Sequence, residues 1–305
     1  MKPLRNGSRN LTPKQRSHEM GISARQLPVR LAPYPDELLS SWIIRHAAFY
    51  EVPPLAMLQH CLPEVQSLRT SDLDMTESQV ARIARMFSAD PARVLRMTFS
   101  NIARSSRRLI ASEPRQLCCS CSPITNELQP VLRSQFLGWR ITCPLCGNVI
   151  QNTDGGARPS PFSRYHNSAL IGEQLLDDEA ERGMQNWMAP SEIAGLLLMR
   201  RVPKAFPAYY ERSGYRVLGV IIPDLDDVLR METSKLPSRA STLLPLHLRP
   251  ALLAGVAIVQ RAGPEMLHML RSHMMGENKA RFGSAIDEIL DCARQSRTSS
   301  QLHLI

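Results

Sequence analysis

The chain has 305 residues, 43% apolar but only 5% aromatic, with a formal charge of +9 and a pI near 9.5. That length provides for about two ordinary domains with cores of Leu, Ile, Val and Met rather than rings. The most apolar run, residues 251–259, is half of what a bilayer crossing needs, and no apolar stretch follows the N-terminal charges. Neither a membrane span nor a signal peptide is therefore expected, and the expected location is the cytoplasm.

The positive charge is local. Residues 1–30 hold Lys2, Arg5, Arg9, Lys14, Arg16, Arg25 and Arg30 against Glu19 alone, a net of +6 that leaves +3 for the rest. With no hydrophobic period, 1–30 reads as a disordered basic arm, either neutralising phosphates or simply solvated. Order is expected from Leu31. Asp36 follows Pro35 and precedes a helical pattern, which predicts an N-cap. Leu38, Leu39, Trp42, Ile43, His46 and Phe49 share one face of that helix, so His46 reads as a core residue rather than a ligand. Pro53-Pro54 opens a short helix that ends near Leu62-Pro63.

Thr76 and Gln79 have capping-box spacing, and Val80, Ile83, Ala84 and Phe87 form an apolar stripe. Ser88-Ala89 make a turn, after which Asp90-Pro91 caps a second helix carrying Val94, Leu95 and Thr98. Two short helices on a tight turn predict a helix-turn-helix-like pair. The second helix and its tail carry Arg93, Arg96, Arg104, Arg107 and Arg108, candidates for phosphate contact. The same pair also occurs as plain scaffold in all-helical domains, so both readings stand.

Two Cys-x-x-Cys turns follow, Cys118/Cys121 and Cys143/Cys146, separated by 21 residues. Each such turn offers two thiolates to one ion, and two of them close a tetrahedral structural zinc site. Cys119/Cys121 is the alternative first pair; two intervening residues, which let backbone N–H groups wrap the sulfur, favour Cys118. Disulfides would need an oxidising compartment, a thioredoxin-like motif would not bring a second pair, and a zinc deaminase would need His-x-Glu, which is absent. Four thiolates leave no open position, so the site is expected to be scaffold and not catalyst. Residues 134–141 alternate like a strand, with 148–150 as the expected partner.

Residues 154–161 are rich in Gly and Pro and read as a linker. Beyond them helices are expected over 168–181, from Pro190, from Pro203 through Tyr209-Tyr210, over 224–231 with Asp224 as cap, over 250–260 and 264–274, and over 286–293. Pro190 to Tyr210 forms a second, weaker helix-turn-helix candidate, and 215–222 fits a strand or a buried helix end. Met266, Met269, Met274 and Met275 suggest a flexible apolar stripe. Asp177-Asp178-Glu179 and Asp224/Asp226/Asp227 read as capping and solvated charge. No Walker A loop, Gly-x-Gly-x-x-Gly, Gly-x-Ser-x-Gly or His-Glu-x-x-His is present, so no enzyme is expected.

The expected fold is mainly α, with a basic arm at 1–30, a helical N-terminal domain at 31–115, a small zinc-ribbon module at 116–153, the linker, and a helical C-terminal domain at 162–305.

The opening Leu31-Ala32-Pro33-Tyr34-Pro35-Asp36-Glu37-Leu38-Leu39-Ser40-Ser41-Trp42, the helix pair over 84–98 and the order of the two cysteine pairs together resemble the TniQ family over about residues 28–150. That resemblance implies a non-enzymatic adaptor in DNA transposition, DNA-associated in a bacterial cytoplasm. It implies coupling of target-site recognition to an AAA+ ATPase regulator and through it to a transposase, with an RNA-guided CRISPR complex as a further partner and a homodimer as a possible assembly. The alternative from the residues themselves is a helix-turn-helix/zinc-ribbon transcriptional regulator that binds DNA through the Thr76–Thr98 helices and the basic arm.

Overall fold

The structure, a computed structural model, describes residues 26–121, 129–152, 159–203, 215–231 and 243–302. The basic arm to residue 25, linker residues 154–158 and residues 204–210 of the helix expected from Pro203 lie outside these. The described chain is mostly helical, with twelve α-helices and one two-stranded sheet.

In the N-terminal part α1 is Leu39–Phe49, α2 Pro54–Cys61, α3 Leu68–Leu73, α4 Glu77–Phe87 and α5 Pro91–Arg96. Helix α4 forms where its cap places it. Thr76 Oγ1 accepts from Gln79 N–H, Gln79 Oε1 accepts from Thr76 N–H, and Ser88 closes the helix in the left-handed region at φ 47°. Asp90 then caps α5 through Ala92 N–H. The predicted stripe of Val80, Ile83, Ala84 and Phe87 is buried against Leu39, Trp42, Ile43, Leu58 and Val94. Each large member contributes about 1.5–3 kcal/mol by leaving water.

Helix α1 corrects the expected start. It begins at Leu39, not beside Asp36, because Asp36 sits at φ 59° and turns away. Phe49, expected on the apolar face, is 51% exposed at the last turn. His46 is fully buried, edge-on to Trp42 and Phe87. Its Nε2 accepts from Leu31 N–H and its Nδ1–H donates to Trp42 O, so the ring is neutral, and burial lowers its pKa. Helix α3 is an addition to the expected set; Ser67 caps it through Thr70 N–H.

In the middle, β1 (Gln116–Leu117) pairs antiparallel with β2 (Gln151–Asn152), Gln116 opposite Asn152. The strand expected over 134–141 does not form, since Arg133–Phe136 is a 3-10 turn. The expected return of 148–150 survives locally: Thr142 bridges Val149, and Ile150 N–H donates to Ile141 O at 3.1 Å.

The C-terminal part has α6 His166–Arg182, α7 Pro190–Leu197, α8 Leu218–Ile221, α9 Asp224–Met231, α10 Arg249–Ala262, α11 Pro264–Ser272 and α12 Gly276–Leu302. Stretch 215–222 resolves as a bridge of Arg216 to Arg200 followed by α8, and α12 far outruns the expected 286–293. The methionines form no single stripe, for Met274 is buried whereas Met269 and Met275 are exposed.

Helix α6 crosses α10 at very short range. A Cβ on Gly172 would lie 2.0 Å from Leu253 O, so only glycine admits the approach. The large core around this crossing takes in Phe99, Ile102, Leu109, Phe136, Leu137 and Trp139 as well as the C-terminal helices.

Candidate metal centre

Strand β1 delivers Cys118, and Cys121 N–H donates back to Cys118 O at 3.2 Å to close the first turn. The bridge of Thr142 to Val149 delivers Cys143. Cys143 N–H donates to Asn148 O and Gly147 N–H to Cys143 O, both at 2.8 Å. Gly147 adopts φ 76°, which a side chain would resist, and so turns the chain back under the sulfurs. Asn148 Nδ2 ties the two turns together by donating to Ser120 Oγ at 2.9 Å.

The outcome is four sulfurs, of Cys118, Cys121, Cys143 and Cys146, all within 4.8 Å of one another. Cys118 Sγ and Cys146 Sγ stand 3.5 Å apart. A tetrahedron with metal–sulfur bonds of about 2.3 Å has edges of about 3.8 Å, so the cluster has dimensions that could hold a metal ion. Leu145 N–H points at Cys143 Sγ at 3.4 Å, a donor that supports a thiolate. Cys119 Sγ instead donates to Gln151 Oε1 at 3.2 Å and stays outside the group, which favours Cys118/Cys121 as the first pair.

Burial pushes the Cys118 thiol up, but hydrogen bonds from Cys146 and from the Ser120 and Cys121 backbone outweigh it and bring the pKa to about 7. Cys121 is pushed up to about 12, first by Cys146, then by burial and by Cys143 and Cys118. One thiolate therefore suppresses the next, and four together need a cation at their centre. Four sulfurs would fill such an ion's coordination sphere, leaving no position for water or substrate.

The centre is seated on the C-terminal helices. Glu173 of α6 is buried; its Oε1 accepts from Ile141 N–H and Thr142 N–H, both at 3.2 Å, and its Oε2 from Thr142 Oγ1 at 2.9 Å. One turn on, Asp177 accepts from Trp139 Nε1 at 2.7 Å and pairs with Arg140 at 2.5 Å. Burial nevertheless raises Asp177 to about 6, against the pull of Arg140. Glu179 accepts from Ser191 N–H, Ser191 Oγ and Ser105 Oγ, each at 2.6 Å. Asp177 and Glu179, expected to be solvated charge, are structural acceptors. From α10 the buried Arg249 donates to Gln116 Oε1, to Arg140 O and to Leu244 O, and burial lowers its pKa to about 9.

The proposed phosphate-contacting arginines divide. Arg107 pairs with Asp74 at 2.6 Å and Arg108 with Glu192 at 3.1 Å, so both join elements of the fold. Arg93 is exposed and donates to Pro33 O; Arg96 and Arg104 are exposed. Sequence reasoning missed Glu173 and Arg249. For Glu173 a signal existed, because it shares the inward stripe of α6 with Ala169, Leu176 and Ala180, where a carboxylate needs partners. Among the described residues no helix is long and apolar enough to cross a membrane.

The family model described as TniQ matches residues 28–155, a stretch that takes in α1 to α5, the four cysteines and β2. A TniQ domain implies a transposition-associated adaptor role, in a family whose members are non-catalytic accessories. No curated protein and no solved structure matches the chain.

Proposed function

We propose that the chain is a non-enzymatic adaptor in DNA transposition that couples target-site recognition to an AAA+ ATPase regulator and through it to the transposase. The observation that carries this is the four-sulfur group inside the matched residues 28–155. Such a closed site organises surfaces without reacting, as a docking body requires. We take the ion to be Zn2+, because four thiolates in a tetrahedron suit a soft ion without geometric preference of its own. An RNA-guided CRISPR complex and a second copy of the chain are further partners in this reading. The test is co-purification with the ATPase and transposase encoded in the same element. Recovery of an ATPase complex, lost when Cys143 is replaced by Ser, supports the adaptor; no association with any of them removes it.

The exposed Arg93, Arg96 and Arg104 favour a second reading, a DNA-binding transcriptional regulator. Helix α5 has only six residues, about 9 Å of rise, which is short for a helix that reads a major groove. A regulator would bind one sequence selectively, with log K falling by about 0.9 per log unit of salt for each phosphate neutralised. Equal affinity for all sequences leaves the adaptor standing alone.

A further inference from the structure

We propose that Glu173 of α6 and Arg249 of α10 are positioning residues for the metal centre, so that retention of the ion is set from the C-terminal half of the chain. This rests on the reading of the four cysteines as metal ligands.

Each arm that carries a ligand pair is gripped by one of these residues. Glu173 takes three donors from Ile141 and Thr142, the residues directly before Cys143. Arg249 holds Gln116, two residues before Cys118, and reaches Arg140 O on the other arm at 2.8 Å. Both gripping side chains are buried, which limits how far water can screen or replace their bonds.

The spacing between the grips is itself fixed. Gly172, next to Glu173, lies against the backbone of Leu253, which is one turn along α10 from Arg249. The two helices cannot slide without moving the arms that carry Cys118 and Cys143. Among the described residues the module's own sheet is one two-residue strand pair, too little to hold four sulfurs at tetrahedral spacing. The platform supplies what the ribbon lacks. Partners beyond the ligands ordinarily govern affinity by 10–100-fold, about the effect expected here.

A purely structural role would lower stability without touching the ion, and Glu179 provides that control. It lies on the same helix, is equally buried and accepts three hydrogen bonds, but none of them comes from the metal module. The experiment loads the full chain with zinc and follows its release to an excess of colorimetric chelator, well below each variant's Tm. Glu173→Gln and Arg249→Met are expected to speed release about tenfold or more, and Glu179→Gln to stay within about twofold of the unaltered chain. Thr142→Val, which removes only the hydroxyl donor to Glu173, serves if the larger changes do not fold and should shift release in the same direction. Unchanged release in Glu173→Gln and Thr142→Val, or equal acceleration by Glu179→Gln, overturns the proposal. An unaltered chain that holds no zinc and whose four thiols alkylate freely removes the metal reading itself, and the proposal with it.

Discussion

Asp72 caps α1 from 32 residues away: its Oδ1 accepts from Ser40 N–H at 3.0 Å, where the local sequence offered Asp36. The other early amides of this helix also find distant partners, Leu39 N–H on Met97 O and Leu38 N–H on Val131 O. The N-terminus that a helix leaves unsatisfied is here closed by tertiary structure. Asp36 is spent elsewhere, accepting from Arg133 N–H and Ser134 N–H and so joining the start of α1 to the metal module.

The capping role of Asp72 predicts a pH dependence. Burial raises its carboxyl from 3.8 to about 6, despite the opposing Ser40 N–H and Arg69. A raised carboxyl contributes stability that is complete below about pH 4 and is lost as pH climbs through 6. Asp72→Asn keeps an acceptor for Ser40 but does not titrate. The variant should therefore gain on the unaltered chain between pH 4 and pH 8, by on the order of 2–3 kcal/mol. Urea unfolding of both proteins at the two pH values measures it, and a constant difference would mean that Asp72 titrates as though exposed.

Glu37 is buried with two bonds from Arg45, at 2.7 and 2.8 Å, beside donors from Tyr34 N–H and Ser41 Oγ. Replacing Arg45 by Met leaves the carboxylate inside without its counter-charge, at a cost of about 3–5 kcal/mol. Adding Glu37→Gln to that variant should recover a large part, because the remaining donors suit a neutral acceptor. Strict additivity in the double variant would show that the pair is not coupled.

Gly172→Ala sets two effects against each other. Alanine in a helix is favoured by about 1 kcal/mol over glycine. Its Cβ would meet Leu253 O at 2.0 Å, and backbone cannot swing aside as a flexible side chain does. Overpacking of this kind costs about 1–3 kcal/mol or more, so the net change should be destabilising. A raised Tm in the alanine variant would mean that α6 and α10 separate more freely than this packing implies.

For the metal centre, Cys143→Ser should abolish bound metal and unfold the module, since binding at such sites is worth on the order of 10 kcal/mol of folding energy. Cys119→Ser should leave metal content unchanged, because Cys119 Sγ faces Gln151. Elemental analysis and melting of the two variants decide the assignment. The reverse result would put Cys119 in the ligand set.

What the sequence determined by itself is local in origin. Capping boxes, apolar stripes and Cys-x-x-Cys turns act within four or five residues, so α4, α5 and the four candidate ligands are legible from neighbouring residues alone. The expected solvated character of Asp177 and Glu179, the strand over 134–141 and the start of α1 went wrong for one shared reason. Each depends on a partner far along the chain: Trp139 and Arg140 for Asp177, Ser191 for Glu179, Gln116, which donates to Ser134 O and Leu137 O, for 134–141, and Asp72 for α1. Burial turns these groups from solvated charges into acceptors that must be satisfied, and no pattern of neighbours announces which distant donor will arrive. Only the tertiary structure could decide that the metal module stands on α6 and α10, because a glycine at 172 and a backbone at 253 must first meet.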